Sequence, residues 1–188
     1  MFETARFTED CRAALAQGGQ CAVEEVVARA VRDPSGALKG LGEPTRAGMF
    51  PIYQSDDLTI LNLVWGPHMT IMPHDHRMWA VIGIYTGRED NIFWRRVKDD
   101  PNGRVEACGA KAVSEKQCVP LGKDIIHSVT NPVRRLTGAL HVYGGDFFHE
   151  HRSAWCSEYL TEGPYDAEKV KGLFAASNSV AAEPSRAA

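Results

Sequence analysis

The chain has no excess of positive charge. Its 21 lysines and arginines stand against 24 aspartates and glutamates, for a formal net charge of −3. With no basic stripe to neutralise phosphates, neither nucleic acid nor an anionic membrane is an expected partner. No run of about 18 apolar residues is present, so no membrane-crossing helix is expected. The first residues, Met1-Phe2-Glu3-Thr4, lack a basic segment leading into an apolar one, so no secretory leader is expected either. Cysteine is sparse: Cys11, Cys21, Cys108, Cys118 and Cys156 are odd in number, scattered, and form no Cys-x-x-Cys pair. That speaks against a disulfide framework and for free thiols in a reducing, cytoplasmic setting. There is no internal repeat. What remains is a 188-residue chain, long enough for one domain with a sizeable core.

Three stretches differ in pattern. Residues 2 to about 32 read as helix, with Thr8 as N-cap ahead of Glu9 and Asp10. Val23, Val26, Val27 and Ala30 recur at helical spacing, and Arg29 and Arg32 suit the last turn. Asp33-Pro34-Ser35-Gly36 stops that helix, and 36–48 reads as a Gly- and Pro-bearing connection. From about Phe50 to Phe148 the pattern is of short β-rich runs: 58–65, 70–76, 79–85, 91–97, 105–113, 116–119, 125–130 and 137–143. Asp99-Asp100-Pro101-Asn102-Gly103 is a hairpin signal between two of them. Many short strands at even spacing predict an antiparallel sandwich or barrel of jelly-roll type. After Phe148 the chain is expected to leave the sheet, with 154–160 as a cover, a short helix over 167–176 and a disordered Ala/Ser-rich end from Ser177. The division expected is 1–48 helical, packing on the barrel, 49–160 barrel, and 161–188 tail.

The chemistry concentrates in Pro73-His74-Asp75-His76 and in Pro120-Leu121-Gly122 followed by His127-Ser128-Val129-Thr130-Asn131. Side chains alternate across a strand, so His74 and His76 project to the same side. His127 supplies a third imidazole from a partner strand, and Gly66 and Gly87 bracket the first segment. Three neutral imidazoles suit iron, zinc, copper or nickel, and an open coordination position makes such a site catalytic rather than structural. Asp75 points to the opposite face and reads as a turn-stabilising or supporting group rather than a ligand. No carboxylate follows in Arg77-Met78-Trp79-Ala80-Val81-Ile82-Gly83; Glu89 comes after the next turn and is expected to face elsewhere. A dication held by three neutral ligands keeps its charge, and so attracts an anion such as a thiolate.

The two segments fit the cupin pattern. Together with Asn62-Leu63-Val64-Trp65-Gly66 and Leu140-His141-Val142-Tyr143, they resemble the cysteine dioxygenase family of thiol dioxygenases over about residues 50–155. The resemblance implies a mainly β fold, the cupin double-stranded β-helix (jelly roll) with N-terminal α-helices. It implies mononuclear iron(II) on His74, His76 and His127, with O₂ as co-substrate and a small thiol oxidised to a sulfinic acid. The family's outer Ser-x-His-x-Tyr run reads Ala139-Leu140-His141-Val142-Tyr143 here, so His141 and Tyr143 match while the hydroxyl is missing. The cysteine that crosslinks to the tyrosine in the mammalian-type enzyme is replaced by Ala80. Gln54 on an early strand and Arg152 after the tyrosine resemble a bacterial subgroup that includes 3-mercaptopropionate dioxygenases. That likeness implies substrate-binding roles for Arg152 and Gln54, with Trp79 and Arg77 near the pocket mouth. An Arg guanidinium is a natural bidentate partner for a carboxylate. His149 and His151 repeat the His-x-His spacing in a polar run and read as surface. Two other readings stay open: a zinc or nickel cupin hydrolase or isomerase working through metal-bound water, and a cupin that binds a small ligand without turnover.

Overall fold

A computed structural model describes residues 2–182. The chain opens with α1 (Thr4–Val31) and α2 (Pro34–Leu41). Eleven strands follow: β1 (Gly48–Gln54), β2 (Thr59–Trp65), β3 (Thr70–Asp75), β4 (Ala80–Thr86), β5 (Arg88–Arg96), β6 (Val105–Ser114), β7 (Cys118–Leu121), β8 (Ile126–Thr130), β9 (Thr137–Tyr143), β10 (Ser153–Trp155) and β11 (Glu162–Pro164). α3 (Ala167–Ala182) ends the described residues. The strands form two antiparallel sheets, ordered β1-β2-β9-β4-β7 and β11-β10-β3-β8-β5-β6. This is the jelly-roll double-stranded β-helix with N-terminal helices that the sequence predicts.

The first sheet is covered on both faces, so its central strands are buried at every position. Ala80, Ile82 and Ile84 of β4 and Ala139 of β9 point between the sheets, into a core that includes Leu61, Leu63 and Trp65. Their alternates Val81, Tyr85, Leu140 and Val142 point outward and pack under Phe7, Val23, Val27 and Val31 of α1. Period-two alternation thus builds two cores from one strand. At Gly83 the backbone lets α1 approach closely: a Cβ there would lie 2.6 Å from Val27 Cγ1 and 2.9 Å from Val31 Cγ1.

Local chemistry explains where the elements depart from the sequence reading. α1 begins after Glu3 rather than at Thr8, whose hydroxyl donates to the Thr4 carbonyl within the helix at 2.9 Å. It breaks at Gly19, which takes a left-handed φ of 61°. The break lets the Gln20 amide reach the barrel, donating to the Leu121 and Ala80 carbonyls at 2.9 and 3.2 Å. Asp33-Pro34 not only ends α1 but starts α2: the Asp33 side chain accepts from Gly36 N at 3.0 Å and Pro34 stands at the first helical positions. Nor does the chain leave the sheet after Phe148. β10 adds to the β3 edge, where Asp75 Oδ1 accepts from Ser153 N at 2.8 Å, and the second sheet runs on to Pro164, beyond residue 160. α3 continues past 176, because the Asn178 amide pairs with both backbone groups of Ala47 at 2.7 and 3.0 Å. The rest of the expected disordered end, 183–188, lies outside the described residues.

Candidate metal centre

β3 and β8 place the three histidines. His74 pairs directly with His127 across the two strands. Pro73 has no N–H to give the ladder, and the register shifts between Ile71 and His74. His76 stands one residue past the end of β3, on the same side as His74. All three rings are buried between the sheets. Their Nε2 atoms converge, with His74 and His127 lying 3.2 and 3.4 Å from His76. Ligands about 2.0–2.1 Å from one metal, at angles of about 90–110°, stand about 2.8–3.4 Å apart, so the spacing fits a shared first-row dication. The ligating atoms of the three lie within 4.8 Å of one another.

The outer nitrogens are arranged to match. His74 Nδ1 lies 2.9 Å from the Met72 carbonyl, which only accepts, so the proton sits on Nδ1 and Nε2 keeps its lone pair. His127 Nδ1 lies 2.7 Å from Asn91 Oδ1, with the same consequence. Burial also disfavours protonation. Desolvation lowers the pKa of His74 from 6.5 to about 4, and those of His76 and His127 well below their ordinary value, the neighbouring imidazoles adding to the effect. Three neutral imidazoles, two of them oriented by an acceptor at Nδ1, suit a metal ion of this class.

Glu89 is the correction to the sequence reading. It does not face elsewhere. Gly87, with φ of 85°, turns the chain from β4 onto β5, where the alternation restarts with Glu89 and Asn91 both pointing inward. The Glu89 carboxylate is fully buried. Its Oε1 accepts from Asn91 Nδ2 at 3.0 Å and its Oε2 from Trp65 Nε1 at 2.8 Å. His141 Nε2 lies 3.4 Å from Oε2, within ion-pair distance but not aligned as a hydrogen bond. His141 Nδ1 in turn lies 3.0 Å from the Tyr143 hydroxyl. A buried run of polar groups therefore extends Tyr143–His141–Glu89–Asn91–His127, hydrogen-bonded at every link except His141–Glu89. His141 and Tyr143 share a face, as their spacing predicts, and Tyr143 pairs across the ladder with Ala80. Burial raises the Tyr143 pKa above its ordinary 10, keeping the phenol protonated.

Arg152 reaches the same region. Its guanidinium carbon lies 4.1 Å from the ring centroids of both Phe147 and Tyr165. Its charge is among the causes that lower the His74 and His76 pKa values and oppose the rise at Tyr143. Arg152 Nε and Nη1 are buried with no hydrogen-bond partner. Gln54 and Trp79 are not brought to the centre. The exposed Gln54 amide donates to Asp146 Oδ1 at 2.8 Å, and Trp79 packs with the α1-side cluster. Arg77 lies over Asp75 and Ser153, outside the barrel. His149 and His151 are exposed, with His149 on Asp146 at 2.7 Å. Asn131 serves the scaffold, donating to the Gly66 and Arg135 carbonyls at 2.9 Å each.

A cavity of about 20 Å³ lies over the three histidines, room for about one water-sized molecule. Tyr143, Phe147 and Tyr165 wall it, and Val170 and Phe174 of α3 roof it. Phe174 stacks on Trp65, centroids 5.6 Å apart. Tyr165 and Val170 also line an outer groove of about 300 Å³ bordered by Trp155, Thr161, Asp166 and Lys169.

No family model matches the chain. Among solved structures it is similar to a Bacillus halodurans protein, at 15% identity over 54% of this chain and 72% of that one, with a TM-score of 0.45. An RmlC-like cupin family protein with a double-stranded β-helix fold from Methanocaldococcus jannaschii matches at 9% identity, over 57% and 87% of the two chains, with a TM-score of 0.45. A conserved Klebsiella pneumoniae protein with a double-stranded β-helix domain matches at 7% identity, over 66% and 88%, with a TM-score of 0.41. None is similar enough to carry an argument about activity. Fold and site together are a double-stranded β-helix with three convergent imidazoles between its sheets.

Proposed function

We propose that the protein is a mononuclear non-haem iron thiol dioxygenase that oxidises a small carboxylate-bearing thiol, of cysteine or 3-mercaptopropionate type, to a sulfinic acid with O₂. The observation that carries this reading is Arg152. Arg152 is half-buried, its charge is felt at His74 and His76, and its Nε and Nη1 are buried without a hydrogen-bond partner, which is costly to maintain unless an anionic ligand completes them. An anionic group such as a carboxylate, accepting from one of these nitrogens, gains the charge-assisted hydrogen bond that arginine is suited to make.

Iron(II) bound by His74, His76 and His127 would offer open positions to both thiolate and O₂. The chain's own residues do the rest. Arg152 holds the substrate carboxylate and thereby fixes where its sulfur lies. The aromatic faces of Phe147 and Tyr165 keep the guanidinium in place by cation–π contact. Tyr143, its phenol protonated by burial, offers a hydroxyl at the cavity wall to orient substrate or O₂. Val170 and Phe174 exclude bulk water from the reacting groups.

The test is metal analysis of the purified protein, followed by oxygen consumption with 3-mercaptopropionate, cysteine and cysteamine. Near-stoichiometric iron and uptake with a carboxylate thiol is the expected result. His127→Ala is expected to lose the metal. Iron with no uptake on any thiol would overturn the substrate assignment. Zinc or nickel with activity insensitive to anaerobiosis would replace the dioxygenase by metal-water chemistry.

A further inference from the structure

We infer that Glu89 is the positioning residue of this centre: its buried carboxylate, acting through Asn91, dictates which nitrogen of His127 carries the proton. The functional weight of the inference rests on the reading that the three imidazoles hold a metal. The hydrogen-bond accounting itself does not.

The accounting leaves little freedom. Each oxygen of the Glu89 carboxylate faces a nitrogen donor, and an indole N–H only donates. Trp65 Nε1 is one donor to Glu89, at 2.8 Å from Oε2. Asn91 is the other, with Nδ2 at 3.0 Å from Oε1. Because the Asn91 amide must turn its nitrogen to Glu89, it turns its oxygen to His127, 2.7 Å from Nδ1. That oxygen demands a proton on Nδ1, which leaves the Nε2 lone pair for the centre. On its other side the carboxylate faces His141 Nε2 at 3.4 Å, and so favours a proton on that nitrogen too. Glu89 thus does from β5 what no hydroxyl at Ala139 can do, and ties the Tyr143 end of the buried chain to a metal ligand.

Glu89→Gln is nearly isosteric yet breaks the pattern. The introduced amide carries one NH₂, which must meet either the Trp65 N–H or the Asn91 NH₂, donor against donor. The indole cannot reverse and the Asn91 amide can. Once reversed, Asn91 presents its NH₂ to His127 Nδ1, so the His127 proton moves to Nε2 and occupies the ligating position. Adding Asn91→Asp repairs this. The introduced NH₂ then donates to one oxygen of the new carboxylate, whose other oxygen accepts from His127 Nδ1–H, and the total charge of the pair is unchanged.

Two readouts test the inference on the full-length protein. Multiple-bond ¹H–¹⁵N correlation spectra of the metal-free protein report the tautomer of each histidine directly. Wild type is expected to show His127 protonated on Nδ1, Glu89→Gln to show it shifted to Nε2, and the double variant to show it restored. Cobalt(II) titration of the same three proteins should show affinity about 10- to 100-fold lower in Glu89→Gln, the usual scale of outer-partner effects, with most of it recovered in the double variant. An unchanged His127 tautomer in Glu89→Gln overturns the inference, as does a double variant that recovers neither tautomer nor affinity, which is what a packing role alone would give. Wild type that binds no cobalt but shows the tautomer switch would leave the accounting standing and remove the metal reading instead.

Discussion

The guanidinium carbon of Arg152 lies 4.1 Å from the centroid of the Tyr165 ring and 4.1 Å from that of Phe147. Two aromatic rings hold the guanidinium by cation–π contact. Nε and Nη1 have no partner there. Arg152→Ala is therefore expected to raise KM for 3-mercaptopropionate roughly 10- to 100-fold, the equivalent of one charge-assisted hydrogen-bonding group. It should change KM for cysteamine, which has no carboxylate, much less. Steady-state oxygen uptake with the two thiols decides this, and equal effects on both would remove Arg152 from carboxylate binding.

Much of the centre was legible in the sequence because it depends on period two alone. His74 with His76, and His141 with Tyr143, are two apart on extended segments and do share faces. Glu89 was not: it comes after the turn at Gly87, and a position beyond a turn carries no facing from the strand before it. Read afresh from Arg88, the same rule puts Glu89, Asn91 and Phe93 on one face, so the signal was present. Other misses have a different cause. β4 and β9 are buried on both faces, and a mostly apolar run does not say which alternates face the histidines and which face α1. Asp33 reads equally as the end of one helix and the cap of the next. Gln54 and Arg152 are near neighbours of the centre by resemblance, but only the packing of Phe147 and Tyr165 separates the one that reaches it from the one that does not.

Removal of metal should make the protein acid-sensitive in a defined window. Desolvation lowers the His74 pKa to about 4 and pushes His76 and His127 well below 6.5. The unfolded chain, with histidines near 6.5, then binds more protons than the folded one between about pH 6.5 and 4. Stability rises with pH wherever the unfolded state holds the extra protons, so it falls as pH drops through that window. Glu162, held at about 2 by its bonds to Arg96, loses its contribution only below about pH 4.5 and does not confuse the upper part of the window. Urea midpoints of chelator-treated protein at pH 7.5 and 5.0 should differ, with the lower value at pH 5.0. Equal midpoints would contradict the burial of three neutral imidazoles.

Docking of α1 depends on a missing side chain. A Cβ at Gly83 would come within 2.6 Å of Val27 and 2.9 Å of Val31. Since both valines are fully buried, neither has free space to move into. Gly83→Ala is expected to cost about 1–3 kcal/mol, the usual range for overpacking. Adding Val27→Ala should recover part of the loss, because the two changes share one contact and are not additive. Denaturant melts of both variants measure this; a fully additive pair would mean that α1 does not bear on β4 at this point.

Val170 separates the outer groove from the cavity over the histidines, and it is 1% exposed. Val170 and Tyr165 line both spaces, so they form the wall between the groove and the cavity. Val170→Ala removes two methyl groups from this wall. It should destabilise the fold by about 1–3 kcal/mol through lost burial and residual cavity. It should also shorten the half-time for metal loss to an external chelator, while the equilibrium affinity, set by the three imidazoles and their hydrogen-bond partners, changes little. Faster loss without weaker binding identifies Val170 as a gate. A half-time equal to that of wild type would place the route elsewhere, and a parallel loss of affinity would mean that α3 helps hold the histidines in position.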